Sequence, residues 1–268
     1  MQVGLFCSSN KPHLWGGLIK TLSNNSVDWN LCIAGPNPPT EPLPGNVKFI
    51  QTNVKPAQCC FIASQNVVGD YIATVTDDII LSPGCIDDLY KLVDNKMTIS
   101  SPSFVLGGEK IDHHMFVDPR GYNASDPRST SQDKNIRRKF ITLNFPLPLL
   151  MFMHRDTFND IGIDKHFVAL YWVEDIAFEL VSKGGKVIIS DTGNLSDFKG
   201  GGICLSRITC DYVHLVNMWF DDNSDKIRNN RKKPIDPLVK KDDVLKISQG
   251  RKDPGKPGKI AKYASTWT

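Results

Sequence analysis

Residues 69–83 read Gly69-Asp70-Tyr71-Ile72-Ala73-Thr74-Val75-Thr76-Asp77-Asp78-Ile79-Ile80-Leu81-Ser82-Pro83. The apolar run at 71–75 is typical of a buried strand, and it leads directly into two adjacent carboxylates, Asp77 and Asp78. Ligands of open α/β sheets bind beyond the carboxyl ends of the strands. This stretch therefore predicts a central strand with a site at its end.

Strands and helices alternate on both sides of this stretch. Short apolar runs predict further strands at residues 2–8, 30–34, 47–52, 99–105 and 186–190. Apolar residues at helical spacing, or helix-start signals, predict helices at 14–22, 58–68, from Ser82-Pro83, at 155–161 and from Val173. The alternation favours an α/β fold in which helices flank a mainly parallel central sheet.

The composition fits one globular core with an extension. Of 268 residues, 40% are apolar and 23% are charged, and the net charge of +3 is too small to indicate nucleic-acid binding. From Lys226 to the end there are thirteen Lys or Arg residues and four Asp, so this segment has a net charge of about +9. The rest of the chain therefore has a net charge of about −6. We therefore expect a domain at 1–220, divided at about residue 105 into 1–105 and 106–220, and a basic C-terminal arm at 221–268.

The seven cysteines lack the spacing of a zinc site and stand among apolar neighbours, which favours buried thiols in a reducing compartment. The longest apolar run, 145–153, is short and contains two prolines, and the chain opens without a leader-like segment. We expect a cytoplasmic protein.

Adjacent carboxylates at a strand end can bind a hard divalent cation, Mg²⁺ or Mn²⁺, through oxygen. Such a cation can bridge a diphosphate and stabilise the negative charge of a nucleoside diphosphate as it leaves. The structural alternative for Asp77-Asp78 is an acidic turn without a ligand, which is the commoner explanation when such a pair is considered alone.

Over about residues 1–215 the chain resembles the family 2 glycosyltransferases, whose nucleotide-sugar-binding fold is called GT-A. The resemblance rests on residues 69–83, on the opening strand and loop at 2–11, on residues 154–164 and on Trp172-Val173-Glu174-Asp175. It implies a nucleotide-binding half at 1–105 and an acceptor and catalytic half at 106–220. It also implies metal-dependent transfer of a sugar from a nucleoside-diphosphate sugar to an acceptor hydroxyl. A UDP-sugar is the favoured donor, and direct displacement would invert the anomeric centre.

The resemblance assigns roles to particular residues. Asp175 matches the catalytic base, with Glu174 beside it, and Asp78 and a late histidine, His214, match the ligands of the divalent metal. The expected donor-binding residues are Ser8, Ser9, Asn10, Lys11, Asn37, Lys55, Gln58 and Asp77.

The sequence departs from the family pattern at three points. Thr76-Asp77-Asp78-Ile79 is not a strict Asp-x-Asp motif, no acid follows the second strand, and Cys60-Phe61 stands where the family has Arg-Asn. We expect Asn37 to replace the missing acid, and Lys55 and Gln58 to replace the missing Arg-Asn.

Structural explanations compete with two of these assignments. Acids such as Glu174 and Asp175 favour the first helical turn because of the helix dipole. His214 is equally compatible with a strand histidine satisfied by backbone groups, and His113-His114 offers a second option for the metal.

The basic arm has three interpretations: a solvated face, a contact with anionic lipid at the inner face of a membrane, or a contact with the donor diphosphate. We expect the polar stretch 107–139 to select the acceptor, a glycan or a lipid-linked molecule. Two other functions compete: a non-catalytic sugar-nucleotide or glycan-binding domain of the same fold, and a sugar-nucleotide pyrophosphorylase. Ser8-Ser9-Asn10-Lys11 lacks the Gly-rich, Arg-containing loop that the pyrophosphorylase requires.

Overall fold

The computed structural model describes residues 2–106, 109–110, 113, 115–117, 140–143, 145–164, 166–197, 211, 214–215 and 219. The predicted basic arm, and most of the stretch predicted to select the acceptor, lie outside the described residues. The strands are β1 (Gln2–Ser8), β2 (Asp28–Gly35), β3 (Val47–Gln51), β4 (Tyr71–Thr74), β5 (Ile79–Leu81), β6 (Thr98–Leu106), β7 (Glu109–Lys110), β8 (Met115–Val117), β9 (Phe140–Thr142), β10 (Phe152–His154) and β11 (Lys186–Asp197). The α-helices are α1 (Trp15–Leu22), α2 (Pro56–Ser64), α3 (Cys85–Leu92), α4 (Arg155–Ile161) and α5 (Trp172–Ser182).

Nine strands form one sheet in the order β3-β2-β1-β4-β10-β6-β11-β5, with β7 on β6, and β8 pairs with β9 separately. Six of the nine run in one direction, whereas β5, β7 and β10 are antiparallel to their neighbours. The predicted α/β fold with helices around a central sheet is confirmed. The sequence did not indicate β10, because three residues within a long apolar stretch show no period of their own.

The sheet has an apolar core on each face. Alternation along β1 directs Val3, Leu5 and Cys7 towards α1 and α3 on one face, and Phe6 towards α2, α4 and α5 on the other. The five described cysteines are free and buried in these cores. No helix of the described residues is long and apolar enough to cross a bilayer.

A close backbone approach shapes the edge where β1 and β2 end. A Cβ on Gly35 would lie 1.7 Å from the carbonyl oxygen of Ser9, so only glycine allows the chain after β1 to pass over the end of β2. The amide of Ser9 donates to the carbonyl of Ala34 at 3.0 Å in the same crossing. The crossing fixes Ser9 at the carboxyl end of the sheet.

The start of α3 differs from the prediction. The sequence indicated a helix opening at Ser82-Pro83, but Gly84 adopts a left-handed conformation, with φ of 72°, and α3 begins at Cys85. Ile79–Leu81 forms strand β5 against the far end of β11. The acid pair therefore lies in a short connection between two strands of the same sheet.

Candidate functional site

The loop after β1 contacts the first acid pair through one hydroxyl. The Ser9 side chain is buried, and its Oγ donates to Oδ2 of Asp77 at 2.5 Å. The same Oγ accepts from Trp15 Nε1 at 2.6 Å and from the amide of Lys11 at 3.1 Å. Since two donors point at this oxygen, its single proton is directed at Asp77, and the carboxylate is held in one orientation.

Electrostatics at this pair favour a bound positive charge. Burial raises the pKa of Asp77, the hydrogen bond from Ser9 and the charge of Lys11 lower it, and the neighbouring charge of Asp78 raises it. Both acids are partly buried. Two partly desolvated carboxylates in sequence repel each other, and a cation between or beside them would relieve that repulsion.

The other predicted donor residues fall into two groups. The side-chain amide of Asn37 donates to the carbonyl of Asn10 at 2.7 Å, which ties the loop after β2 to the loop after β1. Ser8 is hydrogen-bonded to the thiol of Cys60. Lys55 and Gln58 are almost fully buried at the start of α2. Donor binding by each of them stays a prediction.

The second acid pair opens α5, as the sequence predicted. Tyr171 precedes the helix with a φ of 63°, a left-handed conformation that few non-glycine residues adopt. The ring of Trp172 stacks on Phe6 of β1 at a centroid distance of 6.0 Å. Phe6 is paired in register with Thr74, the last residue of β4. The first turn of α5 therefore contacts β1, the strand that leads to Ser9, at a residue paired with the last residue of β4.

Asp175 and Glu174 occupy different environments although they are adjacent. Asp175 is fully buried, and its Oδ1 accepts from Nε1 of Trp219 at 2.9 Å. The indole of Trp219 also stacks on Phe178, one turn along α5, at 5.3 Å. For Glu174, burial and the charge of Asp175 raise the pKa, and a backbone hydrogen bond lowers it, with a net pKa of about 7. The pair thus combines an oriented carboxylate with a carboxyl that titrates near neutrality.

An acid that the sequence analysis missed holds the loop before α5. The carboxylate of Asp211, fully buried, accepts from the amides of Val168, Ala169 and Leu170 at 2.7, 2.6 and 2.8 Å. Three charge-assisted hydrogen bonds fix the backbone that leads into Tyr171. A helix here was detectable from the sequence, because residues 211, 214, 215 and 219 have the spacing of one helix face. All four residues are helical in the structure.

His214 lies in a buried cluster rather than among strand backbone groups. Its Nε2 donates to Oδ2 of Asp164 at 3.0 Å, and the Nδ1 of His166 donates to Oδ1 of Asp164 at 2.7 Å. Burial opposes ionisation of Asp164, but the hydrogen bonds from the two histidines hold its pKa well below the usual range. The alternative of a strand histidine is wrong, because His214 is helical. A cation shared by His214 and Asp78 stays a prediction.

The second histidine option has a structural role at His113. Its Nε2 accepts from the amide of Phe104 at 3.3 Å, and its Nδ1 donates to the carbonyl of Leu147 at 2.9 Å. Both ring nitrogens are therefore engaged with backbone groups, which disfavours metal binding there. His114 lies outside the described residues.

Comparison with known proteins supports the fold. No protein-family model and no curated protein sequence matches the chain. Among solved structures, TarS of S. aureus, residues 1–349, is similar with a TM-score of 0.54 and 9% identity, over 93% of this chain and 70% of that one. A second TarS structure is similar with a TM-score of 0.52 and 10% identity, over 85% of this chain and 41% of that one, so this chain spans less than half of it. TarS is a GT-A-type family 2 glycosyltransferase. The chain therefore has the GT-A-type fold of the family 2 glycosyltransferases.

Proposed function

We propose that the protein transfers a sugar from a nucleoside-diphosphate sugar to an acceptor hydroxyl. The observation that carries the proposal is the contact of Trp172, at the start of α5, with Phe6 of β1 in a GT-A-type sheet. Ser9, which follows β1, orients Asp77 after β4, and the Trp172–Phe6 contact links the start of α5 to β1, which supports a shared site for the two acid pairs. In such sheets ligands bind at the carboxyl ends of the strands.

The first acid pair is proposed to bind the donor. Asp78 would hold a divalent cation, Mn²⁺ or Mg²⁺, which when bound would offset charge on the diphosphate. Ser9 keeps Asp77 in one orientation, and Lys11 lies close enough for its charge to lower the pKa of Asp77. Lys11 is therefore placed to share in neutralising a diphosphate at this loop. A UDP-sugar is our preferred donor.

The second acid pair is proposed to activate the acceptor. The acceptor oxygen attacks the anomeric carbon, and the proton of the acceptor hydroxyl passes to the carboxylate of Asp175. The bond between the anomeric carbon and the phosphate oxygen breaks, and its electron pair leaves with the nucleoside diphosphate. A single displacement of this kind inverts the anomeric centre. The indole N–H of Trp219 orients the Asp175 carboxylate, which a base requires in order to meet a defined hydroxyl.

One observation favours a second function, that of a domain that binds a sugar nucleotide or a glycan without turnover. Asp175 is fully buried, whereas a base has to reach its substrate. The two functions differ in one measurable property, which is cleavage of the donor.

A calorimetric titration with UDP, GDP, CDP and ADP, each with and without Mn²⁺, tests donor binding. We expect one diphosphate to bind in a Mn²⁺-dependent way, and Asp78→Asn to weaken that binding. Asp160→Asn, which alters an exposed acid on α4, is the matched control. Slow hydrolysis of the corresponding sugar donor in the same tube would establish an enzyme. Binding without hydrolysis, in the presence of candidate acceptors, would favour the binding domain, and failure of every diphosphate to bind would overturn both.

A further inference from the structure

Asp164, His166 and His214 form a compact cluster that includes neither of the two acid pairs. Gly162, with a φ of 67°, ends α4, and Asp164 and His166 follow in the next turn of chain. His214 approaches from the helical segment near the C-terminal end of the described residues. One ligating atom from each of the three side chains lies within 4.8 Å of the others.

The donor set of this cluster differs from that of Asp77-Asp78. Two imidazoles with one carboxylate suit a borderline divalent cation such as Zn²⁺ or Co²⁺, whereas a pair of carboxylates suits a harder cation. The same nitrogen and oxygen atoms that now share protons across the Asp164 carboxylate are the atoms that would bind a metal, so a cation would replace those protons.

The three side chains of the cluster are held in place by burial and packing. The side chains of Asp164 and His214 are 1% and 3% exposed, and the ring of Phe167 lies 4.8 Å from that of His214. The His166 side chain is 15% exposed, so that among the described residues this ligand is accessible from solvent. The backbone amide of His166 also donates to Asp164 at 2.9 Å, so the turn that carries both ligands is itself fixed.

We propose that Asp164, His166 and His214 bind a divalent cation of the Zn²⁺ or Co²⁺ type, separate from the cation proposed at Asp78. The cation would join the turn after α4 to the segment that carries Asp211 and Trp219. Those two residues hold the loop before α5 and the Asp175 carboxylate. The site thus has a structural role in keeping the acceptor half assembled, and it does not depend on the proposed transfer reaction.

Cobalt titration of the full chain, stripped of metal by a chelator, tests this proposal through visible absorption. We expect a d–d band that saturates at one equivalent of Co²⁺ and is displaced by Zn²⁺. Because the loss of an outer-shell partner alone costs about 10–100-fold in metal affinity, His166→Gln should weaken binding by more than about tenfold. His13→Gln, at an exposed histidine, is the matched control.

Asp78→Asn separates the two cation sites, and it should leave the cobalt band unchanged. Loss of the band in Asp78→Asn would assign His214 to the donor cation and overturn the proposal. Absence of a band in the wild type, or unchanged cobalt affinity in His166→Gln, would also overturn it. X-ray absorption of the wild type with one equivalent of Zn²⁺ covers the case in which His166→Gln fails to fold. It should detect two imidazole ligands, and a shell of oxygen or sulfur alone would contradict the assignment.

Discussion

The two acid pairs differ in where their supporting contacts come from. Asp77 is oriented by Ser9, which stands one residue beyond a neighbouring strand of the same parallel sheet. Asp175 is oriented by Trp219, from a segment that the chain reaches only after completing the sheet. The first pair is partly exposed, and Asp175 is fully buried.

This difference suits two kinds of chemistry. A partly exposed pair of carboxylates can exchange a hydrated cation with solvent, as a donor-bound Mg²⁺ or Mn²⁺ requires. A buried carboxylate beside a carboxyl with a raised pKa is suited to proton transfer, which benefits from the exclusion of water. The comparison predicts that changes at the first pair alter donor affinity, and that changes at the second pair alter turnover.

The largest expected effect is that of Asp175→Asn. The amide can still accept the hydrogen bond from Trp219, but it is a far weaker base, so we expect the transfer rate to fall by about 10²–10⁴-fold. Rates of nucleoside diphosphate release with acceptor, alongside circular dichroism, measure the effect and check the fold. Asp160→Asn is the control. If Asp175→Asn transferred sugar at the wild-type rate, Asp175 would not be the catalytic base.

The second effect concerns pH and Glu174. Its pKa is raised to about 7 in the folded chain, so the folded state holds a proton that the unfolded state releases from about pH 4.5 upwards. Stability should therefore fall as the pH rises from about 4.5 to about 7, by on the order of 3 kcal/mol from this group.

Urea unfolding across that pH range measures the slope. Glu174→Gln should flatten it by this amount, whereas Glu41→Gln, at an exposed acid, should leave it unchanged. The same slope in the wild type and in Glu174→Gln would mean that the pKa of Glu174 is not raised in the folded chain.

The smallest pair of effects comes from removing the two orienting donors. Hydrogen bonds to charged groups contribute about 1.5–3 kcal/mol, so Trp219→Phe should lower the transfer rate by about tenfold or more while donor affinity holds. Ser9→Ala should do the reverse and weaken metal-dependent diphosphate binding. Titration calorimetry with initial rates separates the two, and melting temperatures control for the loss of the Trp15 contact with Ser9. Equal effects of both variants on affinity and rate would break the comparison.

The surroundings of the first acid pair could be predicted from the sequence because their determinants are local. The apolar run before Asp77 and the strand before Ser9 each carry their own periodicity, and parallel strands bring their ends to one edge. The acid pair at 174–175 was predicted at the start of a helix for the same reason, and α5 begins there.

The contacts that hold the second acid pair and the loop before it could not be predicted in this way. Asp211 bonds to amides about 40 residues earlier, and Trp219 to a carboxylate 44 residues earlier. Such pairs depend on the path of the chain, which no local pattern encodes. The helical spacing at 211–219 was detectable, but His214 was interpreted only as a metal ligand or as a strand histidine. The short reversed strand β10, inserted between β4 and β6, was hidden by its length.

The most direct test of the central claim is a crystal structure with Mn²⁺ and the diphosphate that binds in calorimetry. We predict a cation on the carboxylate of Asp78, with the diphosphate over the loop at Ser9 and Lys11 and the Asp175 carboxylate facing the same cleft. A diphosphate bound elsewhere, or acid pairs opening onto opposite surfaces of the molecule, would contradict the transferase mechanism.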